Sequence, residues 1–140
     1  MIVVDASVGG KWLFTVDESY RTSALDILRK HSDEEEKIIV PDLFFYEISN
    51  AVVTKTTITV QKISQILKKL FEINLSVYHP IEKDIVSSTR LAKKYQTSVY
   101  DMLYAVIAKR NKTILVTADE KFIQKTGFRF VKHIKDIKNN

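Results

Sequence analysis

Three short runs of branched aliphatic residues, Ile2-Val3-Val4, Ile38-Ile39-Val40 and Ile114-Leu115-Val116, limit the fold more than any other feature of the 140-residue chain. A strand with one wet face alternates apolar and polar side chains, because neighbouring side chains point to opposite faces. A run with no polar position is apolar on both faces and has to be covered on both. Between the runs, apolar residues recur at helical spacing, as in Val60, Ile63, Leu67, Leu70 and Phe71. Strands that alternate with helices predict an α/β fold of three layers, with a mainly parallel central sheet of about four to five strands between helices.

The pattern places a first strand at Ile2–Val4 and a short helix carrying Trp12 and Leu13. A second helix is expected over about 18–31, and Asp33 to Glu36 reads as a solvated loop. Ile38–Val40 is the second strand, closed by Pro41, and residues 42–54 form a third helix. A fourth helix carries Val60 to Phe71, Leu75–Tyr78 is the third strand, and Glu82–Tyr95 is another helix. Ser98 opens a helix over Val99–Arg110, and Thr113–Thr117 is the fourth strand. A short helix over Glu120–Lys125 ends at Gly127, and Phe128–His133 is the last, edge strand. With only three glycines and two prolines, and neither linker nor repeat, residues 1–140 read as one domain.

The formal net charge of +5 favours a polyanionic partner. Cysteine is absent, which excludes disulfides, zinc–thiolate sites and thiol nucleophiles. No apolar run approaches the roughly 20 residues of a membrane span. The first residues have no signal-type pattern, so a cytoplasmic protein without a membrane partner is expected.

Four carboxylates stand out: Asp5 after the first apolar run, Glu47 inside the third helix, Asp101 in the first turn of its helix, and Asp119 after the fourth strand. In an open parallel sheet, ligands bind outside the carboxyl ends of the strands, where Asp5 and Asp119 are expected to converge. Glu47 falls on the inward stripe Phe44, Ile48, Ala51 and Val52. A carboxylate so placed needs either a metal ion or a buried lysine or arginine. Asp101 flanks the apolar face of its helix, in line with Ala105 and Ala108; a favourable interaction with the helix dipole also accounts for it. Asp5 and Asp119 have a second reading as helix caps. So do Ser7 and Thr117, whose hydroxyls would otherwise orient a ligand beside the acids. Taken together the acids suggest an oxygen-donor site for a divalent cation, with Mg²⁺ or Mn²⁺ suited to such donors.

These motifs resemble those of the PIN-domain family, and most closely its small VapC-type toxins. The resemblance rests on Val3-Val4-Asp5-Ala6-Ser7, Pro41 to Glu47 continued by Ile48-Ser49-Asn50-Ala51, Tyr100-Asp101-Met102-Leu103-Tyr104-Ala105, and Leu115-Val116-Thr117-Ala118-Asp119. It covers the whole chain with the motifs in order. It implies that Asp5, Glu47, Asp101 and Asp119 are metal-binding and catalytic, with Ser7 and Thr117 in support. It further implies a Mg²⁺- or Mn²⁺-dependent endoribonuclease that leaves a 5′-phosphate, a homodimer, and a VapB-type antitoxin partner. His31, His79 and His133 lie outside the motifs and have no expected catalytic part. Phe44, Phe45 and Tyr46 are candidates for an interface, with core packing the alternative for Phe44.

Other functions stay open at this level. A PIN-fold nuclease of RNA maturation would use the same residues, and a non-catalytic RNA- or protein-binding module would keep the fold. A magnesium phosphotransfer domain is disfavoured because the position two after Asp5 is Ser7, where an aspartate is needed. Nucleotide-binding folds are disfavoured because neither glycine-rich phosphate motif occurs.

Overall fold

A computed structural model of the chain describes residues 1–13 and 19–137. In order these form β1 (Ile2–Val4), α1 (Ala6–Leu13), α2 (Arg21–Ser32), β2 (Ile38–Pro41), α3 (Leu43–Lys55) and α4 (Val60–Glu72). There follow β3 (Ser76–Tyr78), α5 (Glu82–Tyr95), α6 (Val99–Arg110), β4 (Leu115–Thr117), α7 (Glu120–Thr126) and β5 (Val131–His133). The five strands make one sheet in the order β3-β2-β1-β4-β5, and every neighbouring pair is parallel.

Every residue of β1, β2 and β4 is buried. Successive strand residues face opposite ways, so the middle of the sheet is covered on both sides, as the apolar runs require. Helix α6 packs across β1, β2 and β4, and α1 packs against α2, α3 and β4. Gly9 allows α1 to approach α3, because a Cβ there would lie 2.3 Å from the Phe44 ring. The Trp12 indole N–H donates to the Ala24 carbonyl at 2.8 Å and ties α1 to α2. No helix among the described residues is long and apolar enough to cross a membrane.

The boundaries differ from expectation where side chains intervene. Helix α2 begins at Arg21, after Tyr20 in the left-handed region at φ 60°; the expected start at residue 18 lies outside the described residues. Strand β3 begins one residue later than predicted, and β4 two residues later. Strand β5 loses Phe128 to Phe130. Their rings stack 5.3 Å apart, Tyr95 meets Phe128 edge-on, and the Val131 N–H turns back to the Phe128 carbonyl. That local turn delays the start of the strand to Val131, although the Phe130 carbonyl still accepts the Leu115 N–H at 2.9 Å.

At the end of α6 remote from Asp101, the Arg110 Nε donates to Oδ1 of the fully buried Asp84 at 2.5 Å. Oδ2 of Asp84 accepts the Tyr78 hydroxyl at 2.8 Å and the Ile81 N–H at 3.0 Å. One carboxylate thereby clasps β3, α5 and α6 together.

The strand order also fixes where a ligand would lie. Sequence number falls from β3 to β1 and then rises through β4 and β5, so the winding reverses between β1 and β4. Sheets of this kind bind ligands at the carboxyl ends of the strands beside that reversal.

Candidate active site

Val4 pairs with Val116, which sets Asp5 level with Thr117 at the carboxyl ends of β1 and β4. The Asp5 carboxylate accepts the Ser7 hydroxyl on Oδ1 and the Thr117 hydroxyl on Oδ2, each at 2.5 Å. Each hydroxyl in turn accepts a backbone N–H, that of Ala118 at 2.9 Å for Ser7 and that of Asp119 at 3.0 Å for Thr117. Neither Ser7 nor Thr117 caps a helix. Together they stitch the end of β1 to the turn after β4. The capping reading does hold for two acids. Asp5 Oδ1 also accepts the N–H groups of Ser7 and Val8, and Asp119 is the N-cap of α7 through the Phe122 N–H at 3.0 Å.

Helix α3 brings Glu47 to the same edge. Phe44, Ile48 and Val52 on its inner stripe are buried, and Glu47 is half-buried beside them. Its Oε1 accepts the hydroxyl of the buried Tyr104 at 2.8 Å, so its partner is a phenol of α6 and not a lysine or arginine. Asp101 stands half-buried in the first turn of α6, where Ser98 is the N-cap and accepts the Asp101 N–H at 3.0 Å.

These placements converge. Asp5, Glu47, Asp101 and Asp119 all line one cavity of about 290 Å³, together with Ser7. Thr117 is fully buried behind Asp5 and orients it without forming the wall. None of the three histidines lines the cavity. The His31 Nδ1 accepts the Ile38 N–H, and the His133 Nδ1 accepts the Lys135 N–H.

The acids affect one another's charge. Burial raises the Asp5 pKa, its hydroxyl bonds oppose that, and the charge of Asp101 adds to it, leaving a value of about 6 against the ordinary 3.8. Burial also raises Glu47; the Tyr104 bond works against the rise and Asp101 reinforces it. Asp101 is raised by burial and by Asp119, with Ser98 and Lys125 opposing. Burial beside Glu47 pushes the Tyr104 phenol far above its usual range, so it stays a protonated donor.

Hard carboxylate oxygens suit a hard divalent cation, and carboxylates that raise one another's pKa gain by binding one. As the side chains stand, no three His, Asp or Glu groups among the described residues are arranged to hold a metal ion. Both oxygens of Asp5 accept hydroxyls, and one oxygen of Asp119 accepts an N–H of the α7 backbone. The donors fit the ion chemically.

Sequence reasoning named the acids and the hydroxyls as site residues; it carried Tyr104 and Asn50 only as members of motifs, with no role of their own, and passed over Lys55. Tyr104 lies three positions after Asp101, on the same face of α6. That spacing was visible, but a tyrosine among apolar neighbours reads as core. Of the three aromatics proposed for an interface, Phe44 is buried, Phe45 stacks on Phe71 at 4.8 Å, and only Tyr46 is largely exposed, at 69%.

Comparison with known proteins agrees with this architecture. The crystal structure of PAE2754 from Pyrobaculum aerophilum superposes with a TM-score of 0.67 at 22% identity, covering 96% of this chain and 89% of that one. A toxin–antitoxin complex from Klebsiella pneumoniae gives 0.66 at 16% identity, covering 98% and 100%. FitAcB from Neisseria gonorrhoeae gives 0.67 at 15% identity, again covering 98% and 100%. No curated protein is significantly similar in sequence. The family described as PIN domain matches residues 2–127, a span that takes in all four acids and both hydroxyls, and the chain belongs to that family.

Proposed function

We propose that the protein is a metal-dependent endoribonuclease of the VapC type, the toxin of a type II toxin–antitoxin pair. The observation that carries this reading is the convergence of Asp5, Glu47, Asp101 and Asp119, from four separate elements, on one cavity at the reversal of the sheet. PIN domains are generally nucleases, and one of the structural neighbours is a toxin–antitoxin complex. Asp5, Glu47, Asp101 and Asp119 would hold Mg²⁺ or Mn²⁺. Bound there, the cation supplies Lewis-acid polarisation of the scissile phosphate and offsets the negative charge of the site. Ser7 and Thr117 hold Asp5 in place, and Tyr104 holds Glu47. The basic chain attracts the RNA backbone.

The same reading gives the protein a homodimeric state, a cytoplasmic setting and a VapB-type antitoxin that blocks the cavity. Tyr46 and Val53, seven positions apart on one stripe of α3 and both exposed, offer that antitoxin an apolar contact. The test is cleavage of a mixed set of structured RNAs by the purified protein with Mg²⁺ or Mn²⁺, beside EDTA controls and Asp5→Asn. Metal-dependent cleavage that the substitution abolishes is the expected result. Cleavage that survives the substitution, or that ignores EDTA, rules the assignment out. Inhibition by a co-expressed small partner protein separates a toxin from a nuclease of RNA maturation.

A further inference from the structure

Sequence alone does not single out any of the chain's many cations as a contact for RNA. Among the described residues that line the cavity of the four acids, Lys55 is the sole cation. It is the last residue of α3 and lies eight positions after Glu47. Glu47, Ala51 and Lys55 recur every four residues and all line the cavity, so this stripe of α3 is one of its walls. Eight residues of helix rise about 12 Å, which sets the acid and the lysine at separate points along that wall. Lys55 is exposed and its ammonium forms no ion pair or hydrogen bond with any described residue, although it shares the cavity with carboxylates. A lysine in the last turn also suits the helix dipole. The dipole alone does not account for an unpaired ammonium on the wall of an acidic cavity.

We propose that Lys55 anchors a backbone phosphate of the RNA next to the scissile one, an inference that rests on the nuclease reading above. A polyanion entering a cavity of carboxylates is repelled, and the repulsion is greatest at phosphates away from the cation-binding end. An ammonium on the same wall, beyond pairing distance of the acids, offsets that repulsion without neutralising the groups that would hold the metal. Asn50, on the adjacent line of the same wall, supplies an uncharged donor beside it.

The salt dependence of binding tests this. A labelled single-stranded RNA is titrated, over a range of KCl concentrations, into Asp5→Asn protein carrying no second change, Lys55→Ala, Lys55→Arg or Lys83→Ala. Lys83 is exposed and adjoins Asp84, which clasps Arg110 at the far end of α6. Each phosphate contact to a single strand contributes about 0.7 to the slope of log K against log salt. Lys55→Ala is expected to lower the slope by about that amount, Lys55→Arg to keep it, and Lys83→Ala to leave it unchanged. An unchanged slope in Lys55→Ala, an equal loss in Lys83→Ala, or no RNA binding at all overturns the proposal. Cleavage by the unsubstituted protein is a separate readout. A protein that cuts RNA but keeps its slope in Lys55→Ala refutes the anchor alone, and one that never cuts RNA refutes the nuclease reading whatever the slope.

Discussion

Asp84 and Asp5 are both carboxylates sunk among packed elements, and the protein treats them in opposite ways. Asp84 has a guanidinium beside it. Burial pushes its pKa up, but bonds from the Ile81 N–H, the Tyr78 hydroxyl and Arg110 outweigh burial and hold the group below its ordinary value. Asp5 has hydroxyls, backbone N–H groups and other acids for company, with no cation paired to it among the described residues, and its pKa rises to about 6. A buried acid that carries its own counter-charge is finished as a structural part. A partly buried acid on a cavity wall, held only by neutral donors, is still open to a cation, and perturbed groups of that kind in a cavity mark functional sites.

The contrast can be broken most forcefully from the structural side. Arg110→Ala leaves Asp84 fully buried without its cation, and removing one partner of such a pair is expected to cost about 3 kcal/mol of stability. Urea unfolding measures this, and the cleavage rate per folded molecule should stay close to that of the parent. If stability hardly changes, the clasp is not what separates the two acids. On the site side, groups that merely orient a metal ligand cost about 10- to 100-fold when removed, so Asp5→Asn should lower metal-dependent cleavage by more than about 100-fold. The same substitution should leave stability at neutral pH unchanged or raise it, because it removes a charge that burial disfavours. Marked destabilisation would make Asp5 a second Asp84.

Tyr104→Phe sharpens the comparison within the site. It deletes the one hydroxyl that holds Glu47 and leaves the ring in the core, so Mn²⁺ affinity measured by calorimetry should fall about tenfold. Unaltered affinity would show that Glu47 is positioned by other means.

The remaining test is pH dependence, where the two acids should tilt stability in opposite directions. The folded-state pKa of Asp5 lies above its unfolded value of 3.8, so the folded protein binds more protons between 3.8 and about 6. Its contribution therefore falls as pH rises through that window and is level above it. The folded-state pKa of Asp84 lies below 3.8, so its contribution is present above that value and is lost as pH falls through the folded pKa. Unfolding of the parent and of Asp5→Asn across both ranges isolates the Asp5 slope. Parallel curves between 3.8 and about 6 would contradict it.

The strands and the four acids were legible because each is a local signal: an apolar run without polar interruption, a carboxylate at the end of an element, or, for Glu47, a carboxylate on the inward stripe of a helix. What escaped depended on residues far apart. Tyr104 looks like any aromatic on the buried face of α6 until Glu47, 57 positions away, takes its proton donor. Asp84 in the first turn of α5 reads as a partner of the helix dipole, and nothing nearby announces Arg110, 26 positions on. The shortening of β5 goes with the stacking of Phe128 on Phe130 and its edge-on contact with Tyr95, an arrangement that competes with strand pairing and has no signature in a period-two pattern. Ser7 and Thr117 were ambiguous for a related reason, since a hydroxyl beside an acid looks the same whether it caps a helix or orients that acid.

The contact between Asp5 and Thr117 spans 112 positions of sequence. Chains are made from the N-terminus at about 5–20 residues per second, so roughly 6 to 20 s separate the synthesis of the two groups. For that interval the first carboxylate is present without the strand that clamps it and without Asp119. A ribosome-bound fragment holding β1 to α6 has three of the acids and no β4 to bring the last one to them. The site can form only after nearly all of the described chain has emerged, so on the nuclease reading proposed above an unfinished copy would hold no complete site to cut RNA.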